Sequence, residues 1–155
     1  MAESVKHVSG RCLCGGVRFS AKVPKREFGV CHCTMCRRWS AGPFLAIEVE
    51  GFKADDEARL GVYRSSEWAE RGFCRNCGTA LFYRLVGKDW CAVSVEALDD
   101  TADLVLSQQI FIDEKPGYYT FANETENLTG AQVFAAFGAS ETDAAQAGPE
   151  ERRNG

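Results

Sequence analysis

Seven of the eight cysteines fall into three short clusters. They are Cys12-Leu-Cys14, Cys31-His-Cys33-Thr-Met-Cys36 and Cys74-Arg-Asn-Cys77, whereas Cys91 stands alone. Thiolates that converge from short loops are the preferred ligands of structural Zn²⁺, which is held at about 2.3 Å from each sulfur. The alternative is a disulfide framework, but that is typical of shorter, secreted chains, and the N-terminus lacks the apolar segment of a signal peptide. The spacing therefore predicts metal binding.

Two of the clusters combine into one closed site. Side chains two residues apart in an extended strand point to the same side, so Cys12 and Cys14 present two sulfurs in one direction. Cys74 and Cys77 are spaced as a zinc knuckle, in which Gly78 permits the tight turn. Pairing these two halves predicts a tetrahedral four-cysteine zinc site whose role is structural.

The remaining cluster offers only three thiolates, those of Cys31, Cys33 and Cys36. Zinc with three protein ligands and an open fourth position is typical of catalytic or ligand-binding sites. Three thiolates leave the unit negatively charged, so a thiol, which the metal would hold as a thiolate, suits the open position better than water. We therefore predict a second zinc, and two zinc ions per chain.

Three neighbours of this cluster are candidate site residues. Arg37 and Arg38 could bind carboxylates on the molecule that carries the thiol, or could simply lie at the surface. Of these we take Arg37 as the candidate substrate-binding residue. His32 lies between two cysteines and should point to the opposite face of a strand, so it is not expected to be a ligand.

Cys91 differs from the other cysteines because it lies in an apolar alternating segment, Trp90–Ala97. The alternation places Cys91, Val93 and Val95 on one face. Free cysteine is among the most buried residue types. Cys91 is therefore predicted to be a small core residue, although it could close the second site if that site proved to be structural.

Composition limits the classes of function. The chain has 155 residues, which predicts one domain, and 45% hydrophobic residues suffice for a core. The net charge is −4, whereas a nucleic-acid-binding protein typically carries a basic surface patch. No segment approaches the roughly 18 apolar residues of a spanning helix. We predict a cytoplasmic protein without a nucleic-acid or membrane partner, and the oligomeric state stays open.

Strand signals dominate the rest of the chain. Alternation and a Gly15-Gly16 turn predict a hairpin over residues 5–23, and a further alternating run ends at Gly51. Additional strands are predicted at four places: Leu60–Arg64, Ala80–Leu85, Trp90–Ala97 and Leu104–Ile112. Short strands separated by Gly and Asp turns favour a mainly β fold.

One short C-terminal helix is predicted over Thr129–Gly138. Thr129 and Gln132 have the spacing of a capping box, and Gly138 is suited to the position just after the helix. Residues 139–155 lose the apolar pattern and are predicted to form a flexible tail. The domain itself is thus assigned to residues 1–138.

The three cysteine motifs resemble those of the glutathione-dependent formaldehyde-activating enzyme family, which includes centromere protein V. The similar segments are Gly10–Phe19, Cys31–Arg37 and Phe73–Phe82, in this order, within a region from about residue 8 to about residue 120. The resemblance implies a β-tent of small antiparallel sheets, similar to the B-type methionine sulfoxide reductases. It also implies a structural zinc on the four-cysteine set and a second zinc, on the three-cysteine set, where glutathione binds.

The resemblance further implies an activity, the formation of S-(hydroxymethyl)glutathione from formaldehyde and glutathione, which is a carbon–sulfur lyase reaction. Two other functions stay open: a carrier or sensor that binds glutathione or another thiol without turnover, and a zinc-stabilised interaction domain. The enzyme and the carrier both predict thiol binding, and only the enzyme predicts a rate above the uncatalysed one. The basic segment of centromere protein V has no counterpart here, which argues against a chromatin role.

Overall fold

A computed structural model describes residues 5–136, which form a mainly β fold as predicted. The elements in this range are β1 Lys6–Arg11, β2 Arg18–Val23, β3 Glu27–Cys31, α1 Thr34–Trp39, β4 Phe44–Ala54, β5 Leu60–Arg64, β6 Ala69–Cys74, β7 Ala80–Leu85, β8 Cys91–Ser94, β9 Val105–Ile110, β10 Glu126–Leu128 and α2 Gly130–Ala136. Neither helix is long and apolar enough to cross a membrane. The predicted tail and the domain boundary at residue 138 lie outside the described residues.

The long strand β4 belongs to two sheets. Its first half pairs with β3 and β8 in a sheet of order β10-β9-β3-β4-β8-β7-β6-β5. Its second half pairs with β2, which forms the predicted hairpin with β1. Pairings are antiparallel, as predicted, except that β9 runs parallel to both β3 and β10. Hydrophobic alternation reports which face is buried but not the direction of a neighbouring strand, so these two pairings were not predicted.

The prediction that Gly51 ends its strand is wrong, because β4 continues for three more residues. Gly51 has a φ of 62°, in the left-handed region that favours glycine. The register with β2 shifts here: Lys22 pairs with Glu50, but Ser20 pairs with Lys53. The extra residue on β4 is a β-bulge, and bulges bend the strand that carries them. Gly51 therefore marks the point where β4 passes from one sheet to the other.

One hydrophobic core holds the two sheets together. Strand β2 buries every second side chain, those of Phe19, Ala21 and Val23, in the predicted alternation. Phe52, on the second half of β4, lies against Phe19 and Phe82 with ring centroids 5.1 and 4.9 Å away. Aromatic pairs of this kind add about 0.5–1.5 kcal/mol beyond the area that they bury. The hairpin is thus fixed against β7 of the larger sheet.

The other four predicted strands are present, whereas β3, β6 and β10 were not predicted as strands. Leu60–Arg64 and Ala80–Leu85 are strands with the predicted ends. The strand predicted over Trp90–Ala97 is shorter and ends at Ser94, because the next three residues form a 3₁₀ turn. The strand predicted over Leu104–Ile112 is also shorter at both ends.

The capping box of α2 forms as predicted. The backbone N–H of Gln132 donates to Thr129 Oγ1 at 3.2 Å, and the N–H of Thr129 donates to Gln132 Oε1 at 2.7 Å. Phe134 packs edge-on against Phe111 and so fixes the helix to the end of β9. The predicted C-terminal glycine, Gly138, lies outside the described residues.

Candidate metal centres

The four-cysteine cluster lies where two hairpin turns meet. Cys12 and Cys14 occupy the turn between β1 and β2, whereas Cys74 ends β6 and Cys77 lies in the turn that leads to β7. The four sulfurs lie within 4.8 Å of one another, with Cys12 and Cys14 3.6 Å apart and Cys14 and Cys74 3.8 Å apart. Sulfurs at the corners of a zinc tetrahedron are separated by about 3.8 Å. The donor set therefore fits a zinc ion.

Backbone amides surround this cluster and favour the anionic form of its sulfurs. Four N–H groups donate to sulfur at 3.2–3.4 Å: Val17 to Cys12, Gly16 to Cys14, and Asn76 and Cys77 to Cys74. A hydrogen bond with the Thr79 hydroxyl lowers the pKa of Cys77 to about 5. The side chain of Asn76 lowers the pKa of Cys14. Cys77 is thus a thiolate at neutral pH before any metal binds, whereas burial raises the pKa of Cys74.

The three-cysteine cluster lies at the junction of β3 and α1. Cys31 is the last residue of β3, and Cys33 is the N-cap of α1, where its sulfur accepts the Cys36 N–H at 3.3 Å. The helical turn, which was not predicted from the sequence, brings the three sulfurs within 4.8 Å of one another. No fourth Cys, His or carboxylate from residues 5–136 joins the group. Its chemistry and spacing suit zinc with a place for one external ligand.

The three cysteines of this cluster differ in the direction of their pKa shifts. Hydrogen bonds from Cys31 and Cys33, together with Arg71, lower the pKa of Cys36 well below its usual range. The hydrogen bonds with Cys33 and Cys36 raise the pKa of Cys31. For Cys33, the hydrogen bond with Cys31 lowers the pKa, but Cys36 and burial outweigh it and raise the value to about 11. In the metal-free cluster at neutral pH, Cys31 and Cys33 are therefore thiols, and Cys36 loses its proton most easily of the three.

His32 points away from the sulfurs, as predicted. The imidazole is fully buried, with Nδ1 2.8 Å from the Tyr119 hydroxyl and Nε2 2.7 Å from Gln109 Oε1. An amide oxygen only accepts, so Nε2 carries the proton and the Tyr119 hydroxyl donates to Nδ1. Burial lowers the pKa of His32, which keeps the ring neutral. His32 thus fixes the segment that contains Tyr119 against β3.

Cys91 belongs to neither cluster of the described residues. It begins β8, opposite Val49 and Arg84, and packs half-buried against the core. Burial raises the pKa of Cys91 to about 12, so the group is a thiol at neutral pH. The prediction of a packing role is confirmed, although Cys91 is less buried than its strand neighbour Val93.

A pocket of about 420 Å³ lies beside α1, within the size range of small-molecule sites. Arg37 lines it, but its Nε donates to the His32 carbonyl at 2.8 Å and its Nη2 to the Glu114 carbonyl at 3.3 Å. Arg38 also lines the pocket and makes no hydrogen bond or ion pair within residues 5–136. The other lining residues are Thr34, Ala41, Gly42, Pro43, Tyr118 and Tyr119.

Arg71 was not predicted as a site residue from the sequence. This residue lies on β6 and is 2% exposed, and its Nη1 donates to Cys36 Sγ at 3.3 Å. An arginine within a strand is usually a surface residue, so its type gave no sign of burial. The one available signal is positional, because Arg71 shares a strand face with the buried Ala69.

The similarity to known proteins covers the region that contains the cysteine motifs. The model of the glutathione-dependent formaldehyde-activating enzyme family matches residues 7–114. An uncharacterized lyase of Schizosaccharomyces pombe is 33% identical over 126 residues, which are 80% of this chain and 92% of that protein. A Halomonas elongata protein that carries the family's name is 33% identical over 86 residues, 48% of this chain and 54% of that protein.

A crystal structure of a Rhodobacter sphaeroides protein is similar with a TM-score of 0.49 and 23% identity, over 59% of this chain and 87% of that chain. The family match covers more than half of the chain and includes all seven clustered cysteines. The chain belongs to the glutathione-dependent formaldehyde-activating enzyme family.

Proposed function

We propose that this chain binds glutathione or a related thiol at a zinc ion held by Cys31, Cys33 and Cys36, and that it forms or cleaves an S-hydroxymethyl adduct as a carbon–sulfur lyase. The observation that carries the proposal is a three-thiol group without a fourth protein ligand in residues 5–136, in a segment whose Thr34 and Arg37 line a pocket of about 420 Å³. Zinc would hold the incoming thiol as a thiolate. Family membership supports glutathione as the thiol and formaldehyde as the electrophile.

In the direction of adduct formation, the thiol loses its proton and its sulfur attacks the carbonyl carbon. A carbon–sulfur bond forms, the π electrons of the carbonyl move to oxygen, and that oxygen takes up one proton. Thiols add to formaldehyde readily without a catalyst, so the required rate enhancement is small. The site needs only to raise the thiolate fraction and to orient it toward the carbon.

Arg38 is the proposed partner for a substrate carboxylate. Glutathione carries two carboxylates, and a free guanidinium binds a carboxylate through two parallel hydrogen bonds. Arg38 has its donors available, whereas Arg37 already donates to two backbone carbonyls. We therefore assign the main carboxylate contact to Arg38 and keep Arg37 as a second, weaker candidate that contributes charge. Tyr118, 80% exposed, lies at the rim of the same pocket.

The four-cysteine cluster is the proposed structural zinc site, which gives two zinc ions per chain. Zinc ligation by Cys12, Cys14, Cys74 and Cys77 would link the β1–β2 turn to the β6–β7 turn. None of the eight cysteines, which all lie within residues 5–136, forms a disulfide. A cytoplasmic location, which stays a prediction, would keep them reduced and available to the metal.

Calorimetric titration of the zinc-loaded protein tests the binding step. Glutathione is expected to bind more tightly as the pH rises between about 6 and 8, because it binds as thiolate and releases a proton. S-methylglutathione retains both carboxylates but cannot form a thiolate, and it should bind much more weakly. Equal binding of the two would contradict coordination through sulfur.

Matched arginine variants test the pocket. Arg38→Ala should weaken glutathione binding about 10- to 100-fold, since hydrogen bonds between charged groups contribute about 1.5–3 kcal/mol. Arg37→Ala should have a smaller effect, and Arg18→Ala, an exposed arginine of β2, should have none. The reverse order of Arg37 and Arg38 would return the carboxylate contact to Arg37.

Turnover separates the lyase from the carrier. The lyase predicts that adduct formation from formaldehyde and glutathione, followed by NMR, exceeds the uncatalysed rate and depends on Cys33. Binding without any rate increase would favour the carrier. Absence of both binding and rate increase would favour the interaction domain.

A further inference from the structure

Arg71 is a buried cation whose hydrogen-bond acceptor within residues 5–136 is a sulfur. The side chain is 2% exposed, and the acceptor of its Nη1 is Cys36 Sγ at 3.3 Å. A buried charge is costly unless an opposite charge lies beside it. No carboxylate of the described residues forms an ion pair with Arg71, whereas Arg84 on the next strand is paired with Glu70 at 2.8 Å. The opposite charge for Arg71 must therefore come from the thiolate cluster.

Two aromatic rings fix the guanidinium in this place. Its central carbon lies 5.1 Å from the centroid of the Trp39 ring and 5.0 Å from that of Tyr83. Arginine packs well against aromatic faces because its planar cation is weakly hydrated. Trp39 is the last residue of α1 and Tyr83 lies on β7, so elements on both sides hold the cation against Cys36.

The guanidinium also has hydrogen-bonding capacity to spare. Its Nε is buried and has no acceptor among the described residues. Buried donors nearly always have a partner, and an exception calls for an explanation. An anion that joins the cluster would bring both an acceptor and a negative charge close to this donor.

The net charge of the zinc–thiolate unit gives Arg71 a specific role. Zinc with three thiolates is a monoanion, and a fourth thiolate would make it a dianion in a largely buried place. The nearby guanidinium reduces each of these charges by one, so the ligand-bound unit is no more negative than an isolated three-thiolate site. A neutral fourth ligand, such as imidazole, gains nothing from this compensation.

We infer that Arg71 is the positioning residue that makes the three-cysteine site selective for an anionic thiolate over a neutral fourth ligand. The inference rests on the proposed function to the extent that the site takes up an external thiol. It does not depend on glutathione being that thiol, because Arg71 would act on the charge of the bound sulfur.

Cobalt(II)-substituted protein provides the test, since cobalt(II) absorption reports the identity of the fourth ligand. The probes are 2-mercaptoethanol, which binds as a thiolate and has no carboxylate, and imidazole, which is neutral. Arg71→Met should weaken mercaptoethanol binding about 10- to 100-fold, the usual effect of removing a group that supports a metal ligand. Imidazole binding should change less than about threefold. Arg71→Lys retains the charge and should retain most of the preference.

Arg84→Met is the matched control, because it removes a cation from the adjacent strand that does not contact the cluster. If Arg71→Met is insoluble, Arg71→Gln removes the same charge while keeping a hydrogen-bond donor. If Arg71→Met weakens mercaptoethanol and imidazole binding equally, or weakens neither, the inference is overturned. Wild-type protein that binds mercaptoethanol but not glutathione would contradict the proposed function alone, and wild-type protein that binds no thiol would contradict both.

Discussion

The four-cysteine cluster joins two distant hairpins, whereas the three-cysteine cluster lies within six consecutive residues. In the first, Cys14 and Cys74 are 60 positions apart in the chain, and the Leu13 N–H adds a bond to Thr79 Oγ1 at 3.0 Å. In the second, residues 31–36 are held by the pairing of β3 with β4 and β9. A metal at the first site would close a long loop, and a metal at the second would close almost none. Cysteine ligation would thus crosslink distant segments at the first site, but not at the second.

The two clusters also differ in what neutralises their sulfurs. Backbone N–H groups surround the four-cysteine cluster on both turns, so its charge is balanced by dipoles that form with the fold. Within residues 5–136, the sulfurs of the three-cysteine cluster accept from one backbone donor, the Cys36 N–H, and one cation, Arg71. The full positive charge of Arg71 can balance a further anion at the three-cysteine cluster. The backbone N–H groups at the four-cysteine cluster already donate to sulfur and cannot do so. This difference leads us to place ligand exchange at the second cluster.

The largest expected effect is on folding. Cys77→Ser should remove the proposed structural zinc and lower the free energy of unfolding by several kcal/mol, on the order of a structural zinc contribution, so the soluble yield should fall. Cys33→Ser should stay folded and contain one zinc fewer. Urea denaturation and zinc content per chain check both variants. Equal destabilisation by the two substitutions would remove the distinction between a structural and a functional site.

A second prediction concerns acidification. Metal ligands must be thiolates, and Cys31 and Cys33 are thiols at neutral pH because their pKa values are raised. Metal binding at this cluster therefore releases at least two protons, and its affinity should fall about 100-fold or more for each unit of pH below neutrality. At the other cluster the pKa of Cys77 is lowered to about 5, but burial raises that of Cys74, so metal binding there releases protons as well. The three-cysteine site should lose zinc at the higher pH, because it offers one protein thiolate fewer to the ion.

Chelator competition at pH 8, 7 and 6 measures these two affinities, and Cys33→Ser isolates the four-cysteine site. Zinc loss from both sites at the same pH would contradict the predicted order. Zinc loss from the four-cysteine site first would reverse the comparison.

The smallest expected effect is at Cys91, which tests whether the second site has a hidden fourth ligand. Cys91→Ala should cost about 1 kcal/mol, because a partly buried sulfur loses its contacts with the core. The zinc content should be unchanged, since Cys91 lies outside both clusters. Loss of one zinc from this variant would mean that Cys91 can reach the three-cysteine site and close it.

The sequence allowed both cysteine groups to be predicted, because metal-binding thiols occur as close pairs whose spacing is visible without a structure. Alternation was equally informative for β2, where Phe19, Ala21 and Val23 all point into the core. Such signals are local, and each depends on residues only two or three positions apart.

Features that depend on distant partners were not predictable in this way. Arg71 is buried only because Trp39 and Tyr83 enclose it and Cys36 accepts its hydrogen bond, and none of these lies near it in the chain. The parallel pairing of β9 with β3 also joins residues that are far apart in the chain. Helix α1 was missed because its six residues are too few for a recognisable apolar period. Gly51 was misjudged because glycine can end a strand or bend it.

The most direct test of two unequal metal centres is a glutathione titration of protein loaded with two equivalents of cobalt(II), followed by absorption. We predict that the spectrum of one ion changes, with saturation at one thiol per chain, and that Cys33→Ser abolishes the change while the other ion keeps its four-thiolate spectrum. No spectral change, or a change at both ions, would contradict the division into one closed and one open site.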